Sequence, residues 1–148
     1  MRRKMFGSGF PAVVESLNAL ALALCEQGKF AEAERLTRER LGAENLDPDD
    51  WRTFNTRSLL GASLLGQKKY IEAEPPLVSG CEGLKQRQEQ IPAPSVSCLK
   101  RGVERLIQLY EVTDRSDRAA ECHKGLKELE RAQADNQPLA QTPAKHAL

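Results

Sequence analysis

Cys122 and His123 are adjacent in the chain, and a thiol beside an imidazole is the pairing that nucleophilic catalysis by cysteine requires. On a helix, neighbours in sequence point about 100° apart, so this pair lacks the mutual geometry of a nucleophile and its base. The other histidine, His146, offers no nearby substitute. Gly7-Ser-Gly9 is followed by no Gly-Lys-Ser/Thr and preceded by no strand, which makes it a flexible amino terminus rather than a phosphate loop. Cys25, Cys81, Cys98 and Cys122 are dispersed without a CxxC pair. A zinc site assembled from Cys81, Cys98, Cys122 and His123 has no sequence spacing to support it, and dispersed helical cysteines read as small core residues. Asp49 and Asp50 are paired carboxylates, but a helix start explains them. No protein-kinase signature occurs. No enzyme and no metal or other cofactor is expected, which leaves binding through a surface.

The bulk properties narrow that binding. Lys and Arg number 22 against 21 for Asp and Glu, a net charge of +1, so there is no basic field to condense on nucleic acid or an anionic membrane. No apolar run approaches the roughly 18 residues that span a bilayer. Arg2, Arg3 and Lys4 followed by the apolar run Ala19 to Cys25 imitate a secretory signal. Glu15 and Asn18 interrupt the approach, and Glu26 and Gln27 carry the run on as a helix, so a cytoplasmic protein with reduced thiols is expected. With 148 residues, 40% hydrophobic and 5% aromatic, one domain dominated by helix formers is the expectation and all-β folds are unfavoured.

Helical periodicity, cut by Gly, Pro and Asp punctuation, predicts six helices in three hairpins. The first runs from about Ala12 to Gln27 and stops at Gly28; the second starts near Phe30 and fades at Gly42 to Asn45. Asp47 as cap and Pro48 as first residue open the third, which reaches about Gly66. The fourth spans Tyr70 to about Gln88, with Pro75 and Pro76 expected to kink it. Ser95 is the expected cap of a fifth helix ending at Val112, and a sixth covers about Asp117 to Ala132. Residues 1–10 are expected to be flexible and 134–148 disordered, with repeats at about 11–45, 48–90 and 95–133.

Self-similarity decides how these hairpins combine. Leu20-Ala-Leu-Ala-Leu-Cys-Glu-Gln-Gly-Lys-Phe-Ala-Glu-Ala-Glu34 aligns without a gap on Leu60-Gly-Ala-Ser-Leu-Leu-Gly-Gln-Lys-Lys-Tyr-Ile-Glu-Ala-Glu74, 40 residues on. A weaker copy, Leu106 to Ala120, follows after 46. Ala21 and Gly61 from the first helices, answered by Ala33, Ala73 and Ala119 from the second, are small enough for helix axes to approach within about 8–10 Å. Phe30 and Tyr70 are expected to wedge the turns, and the leucine-rich third helix to lie mid-stack. Ile107 stands where a small residue is expected and Ser116 where the turn aromatic belongs, so the third hairpin should pack more loosely. A hairpin of this kind hides its outer apolar face only by stacking on the next.

These residues resemble the tetratricopeptide repeat family, and the period near 40 is similar to its long-period, kinesin-light-chain-like subclass. The stretch Trp51 to Tyr70 resembles the repeat tails of bacterial serine/threonine protein kinases. The likeness covers about Pro11 to Glu130. It implies an all-α, right-handed solenoid of three helix-turn-helix repeats, and a scaffold that grips a peptide or partner helix in its concave groove. The alternative is a regulatory segment of a kinase-type signalling protein. The first helices carry stripes at i, i+3, i+7 and i+10, which share one side of a helix. Matching groove positions are Asn18 and Leu22, then Asn55, Ser58 and Ala62, then Arg101 and Gln108 with Arg105 alongside. Val13, Val14, Leu22 and Ala23 exceed what one partner helix needs, which suggests a second role as a homodimer surface.

Overall fold

The computed structural model describes residues 11–43 and 46–135. Six α-helices form among them: α1 Pro11–Glu26, α2 Phe30–Leu41, α3 Trp51–Gly66, α4 Tyr70–Gln86, α5 Ser97–Val112 and α6 Ser116–Asp135. Two 3-10 turns, Gln88–Gln90 and Ala93–Ser95, precede α5, and no strand occurs among the described residues. Consecutive helices pack as hairpins, and α3 touches α1 and α2 on one side and α4 and α5 on the other. The architecture is an all-α solenoid of three stacked hairpins with α3 at its centre. Leu59, Leu60, Leu64 and Leu65 are all buried there. The expectations for Arg2–Lys4, Gly7-Ser-Gly9 and the tail from residue 136 fall outside the described residues.

The same turn closes every hairpin. Gly28, Lys68 and Asp114 have φ of 81°, 65° and 61°. The amides that follow, of Lys29, Lys69 and Arg115, donate back to the carbonyls of Leu24, Leu64 and Tyr110 at 2.8, 2.9 and 2.8 Å. This is the Schellman arrangement, in which one left-handed residue satisfies carbonyls that the helix end leaves free. Glycine takes that conformation without strain. A residue with a Cβ pays about 1–2 kcal/mol for it, less for Asp, whose short polar side chain is better tolerated there.

Small residues then set how closely the helices nest. Ala21, Ala33 and Ala73 are completely buried and Ala119 nearly so. A Cβ on Gly61 would run into the Leu77 side chain, and one on Gly80 would lie 2.7 Å from the Phe54 carbonyl oxygen and 2.8 Å from the Ser58 amide nitrogen. Gly83 faces the Phe54 ring in the same way. Helices α3 and α4 therefore meet almost backbone to backbone. Advancing 46 residues, the positions of Gly61, Gly80 and Gly83 hold Ile107, Leu126 and Leu129. Ile107 is buried, Leu126 and Leu129 pack against the core, and α5 and α6 are less intimately joined than α3 and α4.

Glu34 and Glu74, the last residues of the two Glu-Ala-Glu segments, clasp each hairpin to the next. Glu34 accepts from Gln67 Nε2 at 2.8 Å and lies 3.7 Å from Lys69 Nζ. Glu74 receives both Arg115 terminal nitrogens, at 2.8 and 3.1 Å, with Arg118 Nη1 at 3.7 Å. Lys69 and Arg115 occupy equivalent places one repeat apart. Hydrogen bonds from Arg38 and Gln67 hold the Glu34 carboxyl below its ordinary range, and those from Arg115 do the same for Glu74.

Several helix ends differ from the sequence reading. Asp50, not Asp47, caps α3, its Oδ1 accepting from the Arg52 amide at 3.0 Å. Asp47 instead opens a turn through Pro48, closed by the Asp50 amide on the Asp47 carbonyl. Ser95 caps nothing; it ends a 3-10 turn, and Val96 precedes α5 without a side-chain cap. Helix α4 ends at Gln86 and runs through Pro75 and Pro76 as one helix. The carbonyls that lose their donors belong to Ile71 and Glu72, both solvent-exposed residues, so water can take the missing bonds. Helix α6 extends to Asp135, three residues past the expected end.

Candidate functional site

Helices α1, α3 and α5, the first of each hairpin, present their stripes to a common groove. It holds two adjoining hollows of about 320 and 400 Å³ that share Leu22, Arg101 and Arg105. Glu15, Asn18 and Asn55 line the first, and Ala62, Gln108 and the Phe30 ring line the second. Seven of the eight positions singled out from the sequence thus border the groove. Ser58 does not. It is fully buried, and its Oγ accepts from Arg105 Nη1 at 3.0 Å.

The polar members are not equally available. Asn18 is buried and engaged at both ends: Thr56 Oγ1 donates to its Oδ1 at 2.7 Å, and its Nδ2 donates to the Arg52 carbonyl at 3.2 Å. It locks α1 to α3. Asn55 is half-buried and lines the first hollow, and Gln108 is exposed on the second. Arg101 lies 3.7 Å from Glu26 in a loose, exposed pair, an interaction worth little in water.

Arg105 differs from the rest. It comes from α5, sits where the two hollows meet, and makes no ion pair among the described residues; its hydrogen bond goes to the neutral Ser58 hydroxyl. Burial lowers its pKa, and the like charge of Arg101 adds to that. A guanidinium so strongly basic still stays protonated. The groove floor therefore holds a partly desolvated cation that pairs directly with no carboxylate among the described residues, Glu104 acting on it only through space. Cys25 and Cys98 lie near it, and burial pushes both thiols up, Cys98 to about 11, so neither is a thiolate at neutral pH.

Two groove elements escaped the sequence reading. Trp51, the chain's single tryptophan, is buried beside Asn55, and Arg52 lies over its ring at 4.8 Å while its Nε contacts Glu15 Oε2 at 2.6 Å. Its position one turn before Asn55 on the same helix face was the available signal. Ser95, from the 3-10 turn before α5, and Ser97 and Cys98, the first residues of α5, also line the groove, where the helix start was not correctly placed from the sequence.

His123 Nε2 lies 3.4 Å from Glu111 Oε2 on the exposed flank of α6, and the pKa of the neighbouring half-buried Cys122 is raised by burial. Among the described residues no three His, Cys, Asp or Glu side chains converge as a metal site. No described helix is long and apolar enough to cross a membrane.

The three identically closed hairpins, stacked with their first helices along one groove, decide the class. The fold is tetratricopeptide-like. Residues 13–40, which hold nearly all of the first hairpin, match the family model described as Tetratricopeptide repeat. That match does not reach Trp51 to Tyr70, the stretch that resembles kinase tails. No curated protein matches the chain. Tetratricopeptide repeats as a class mediate contacts between proteins.

Proposed function

We propose that this chain is a non-catalytic interaction module, and that the groove of α1, α3 and α5 holds an extended peptide which sets a carboxylate against Arg105. The observation that carries the reading is the lone guanidinium at the junction of the two hollows. A carboxylate arriving there gains a charge-assisted, bidentate pair without displacing an existing partner, and Ser58 already fixes the fork of donors. Arg101 adds a second positive charge at the rim, Asn55 and Gln108 supply amide donors and acceptors for peptide backbone, and Leu22 and Ala62 offer apolar contact. The four free, buried or half-buried thiols suit a cytoplasmic setting. Of the α1 residues singled out for a homodimer surface, Val14 is buried and Leu22 and Ala23 are half-buried, so a secondary role in homodimer formation rests on the exposed Val13, joined by Leu20.

Selection of a displayed random-peptide library against the full chain tests the groove. Enriched peptides are expected to carry Asp, Glu or a free carboxyl terminus at a fixed position, and Arg105→Gln should weaken the best of them by about tenfold or more, as loss of one partner of a buried charged pair does. Peptides without acidic enrichment, or equal affinity for Arg105→Gln, would remove the reading.

A further inference from the structure

The opposite side of the stack carries a second and larger opening, and its origin is visible by comparing equivalent positions. In the second hairpin Arg57 reaches from α3 to α4, its Nη1 donating to Ser79 Oγ at 3.1 Å and its guanidinium lying 4.9 Å from the Phe54 ring centre. In the third hairpin the residues at these two places are Val103 and Gly125. Valine is too short to cross, and a Cβ on Gly125 would meet nothing within 4 Å. The space that Arg57 and Ser79 occupy is left open, as a cleft of about 840 Å³ between α4 and α6 with α5 as its floor.

Among the described residues the cleft has the dimensions of a helix-binding groove. Val103, Leu106 and Tyr110 make an apolar floor. On α6 the lining recurs with helical spacing from Asp117 through Gly125 to Ala132, a run of about 22 Å at 1.5 Å per residue. That length matches a segment of about fifteen helical residues. The walls are acidic. Glu82, Asp117, Glu121 and Glu128 stand against Lys85 and Arg118, and Arg118 is already turned to Glu74. None of those four carboxylates is in an ion pair among the described residues.

We infer that the cleft between α4 and α6 docks an amphipathic helix of a partner protein, apolar on the face it buries and rich in Lys or Arg along its flanks. Its apolar stripe would lie on Val103, Leu106 and Leu129, with Gly125 allowing close approach, and its cations would meet Glu82, Glu121 and Glu128. This mode of recognition reads anchors at helical spacing in a groove, and it is independent of the peptide groove on the other side.

The test uses the full chain and two synthetic fifteen-residue helical probes sharing one leucine stripe, flanked by lysine in one and by glutamate in the other. Fluorescence anisotropy should show the lysine probe binding at least about tenfold more tightly, with amide shifts centred on Val78, Val103, Gly125 and Leu129. Gly125→Leu, which fills the berth at a position with free space, should cost about tenfold or more in affinity while the melting temperature stays level or rises, because leucine is the better helix former. Val103→Arg combined with Gly125→Ser transplants the plug of the second hairpin and should act in the same direction. Arg105→Gln should leave this binding unchanged. Equal binding of the two probes, no binding of the lysine probe at millimolar concentration, shifts confined to the concave groove, or undiminished affinity in Gly125→Leu would each overturn the inference.

Discussion

The second and third hairpins close with the same turn, yet they hold their helices together by opposite means. In the second, Gly80 lets α4 touch the backbone of α3, while Gly61 and Gly83 make room for the side chains of Leu77 and Phe54. In the third, Ile107, Leu126 and Leu129 fill the equivalent places and packed side chains do the joining. Burial of aliphatic side chains and close approach of helix axes are alternative routes to the same hairpin. What the difference teaches is that the repeat fixes the turn and the clasp to its neighbour, while the hairpin interior is free to vary. The variation has a consequence outside the interior: the tightly nested hairpin carries the Arg57–Ser79 plug, and the looser one carries a cleft.

Exchanging residues between the hairpins gives the sharpest tests. Gly80→Leu places the third hairpin's residue in the second, where even the Cβ would meet backbone atoms of Phe54 and Ser58. Overpacking against backbone that cannot give should cost about 3 kcal/mol or more, read by urea denaturation. A loss below about 1 kcal/mol would show that α3 and α4 separate easily and would erase the contrast. Ile107→Ala makes the reciprocal change, and a cavity in the third hairpin should cost about 2–4 kcal/mol rather than improve nesting. Were Ile107→Ala neutral or stabilising, the third hairpin would be a strained version of the second instead of a different solution.

Smaller effects probe what the hairpins share. Lys68→Gly should relieve the left-handed turn and stabilise by about 0.5–1 kcal/mol after glycine's own entropic cost, and Asp114→Gly by less, since Asp tolerates that conformation better. Equal gains in thermal melts would remove the advantage assigned to Asp, and no gain at either position would show that the left-handed turns are unstrained. The smallest effect concerns the clasps. Because the carboxyls of Glu34 and Glu74 are held below their ordinary range, the stability they give is present above the unfolded pKa, near 4.3, and is lost as pH falls through the lower folded value. Glu74→Gln should therefore be less stable than the parent at pH 7, with the difference vanishing towards pH 3. A difference independent of pH would assign the effect to packing instead of charge.

Much of this was legible in the chain itself. Six helices, their pairing and the ungapped match of Leu20–Glu34 with Leu60–Glu74 followed from periodicity and punctuation, because a helix depends on residues a few places apart. Which faces of α1, α3 and α5 turn to one side followed from the same spacing, but not that Ser58 would be buried there or that Asn18 would be engaged by Thr56. The cap of α3 was not legible: four residues, Asp47-Pro48-Asp49-Asp50, could all start a helix, and the turn through Pro48 gave the role to Asp50. Gly80 and Gly83 carry no signal of close packing in the sequence, and only their contact with Phe54 and Ser58 reveals them as the notch.

By itself the sequence determined where the chain is helical, where it turns and that three hairpins repeat, since all three are settled by bonds and spacings within a few residues. Only the tertiary structure decided that Ser58 faces inward to hold Arg105, that Asn18 is consumed by Thr56, that the glutamates of Glu34 and Glu74 clasp the following turns, and that Val103 with Gly125 leaves a cleft. Those outcomes join residues some twenty to fifty positions apart, and helical periodicity says which side a residue faces but not what it will meet there.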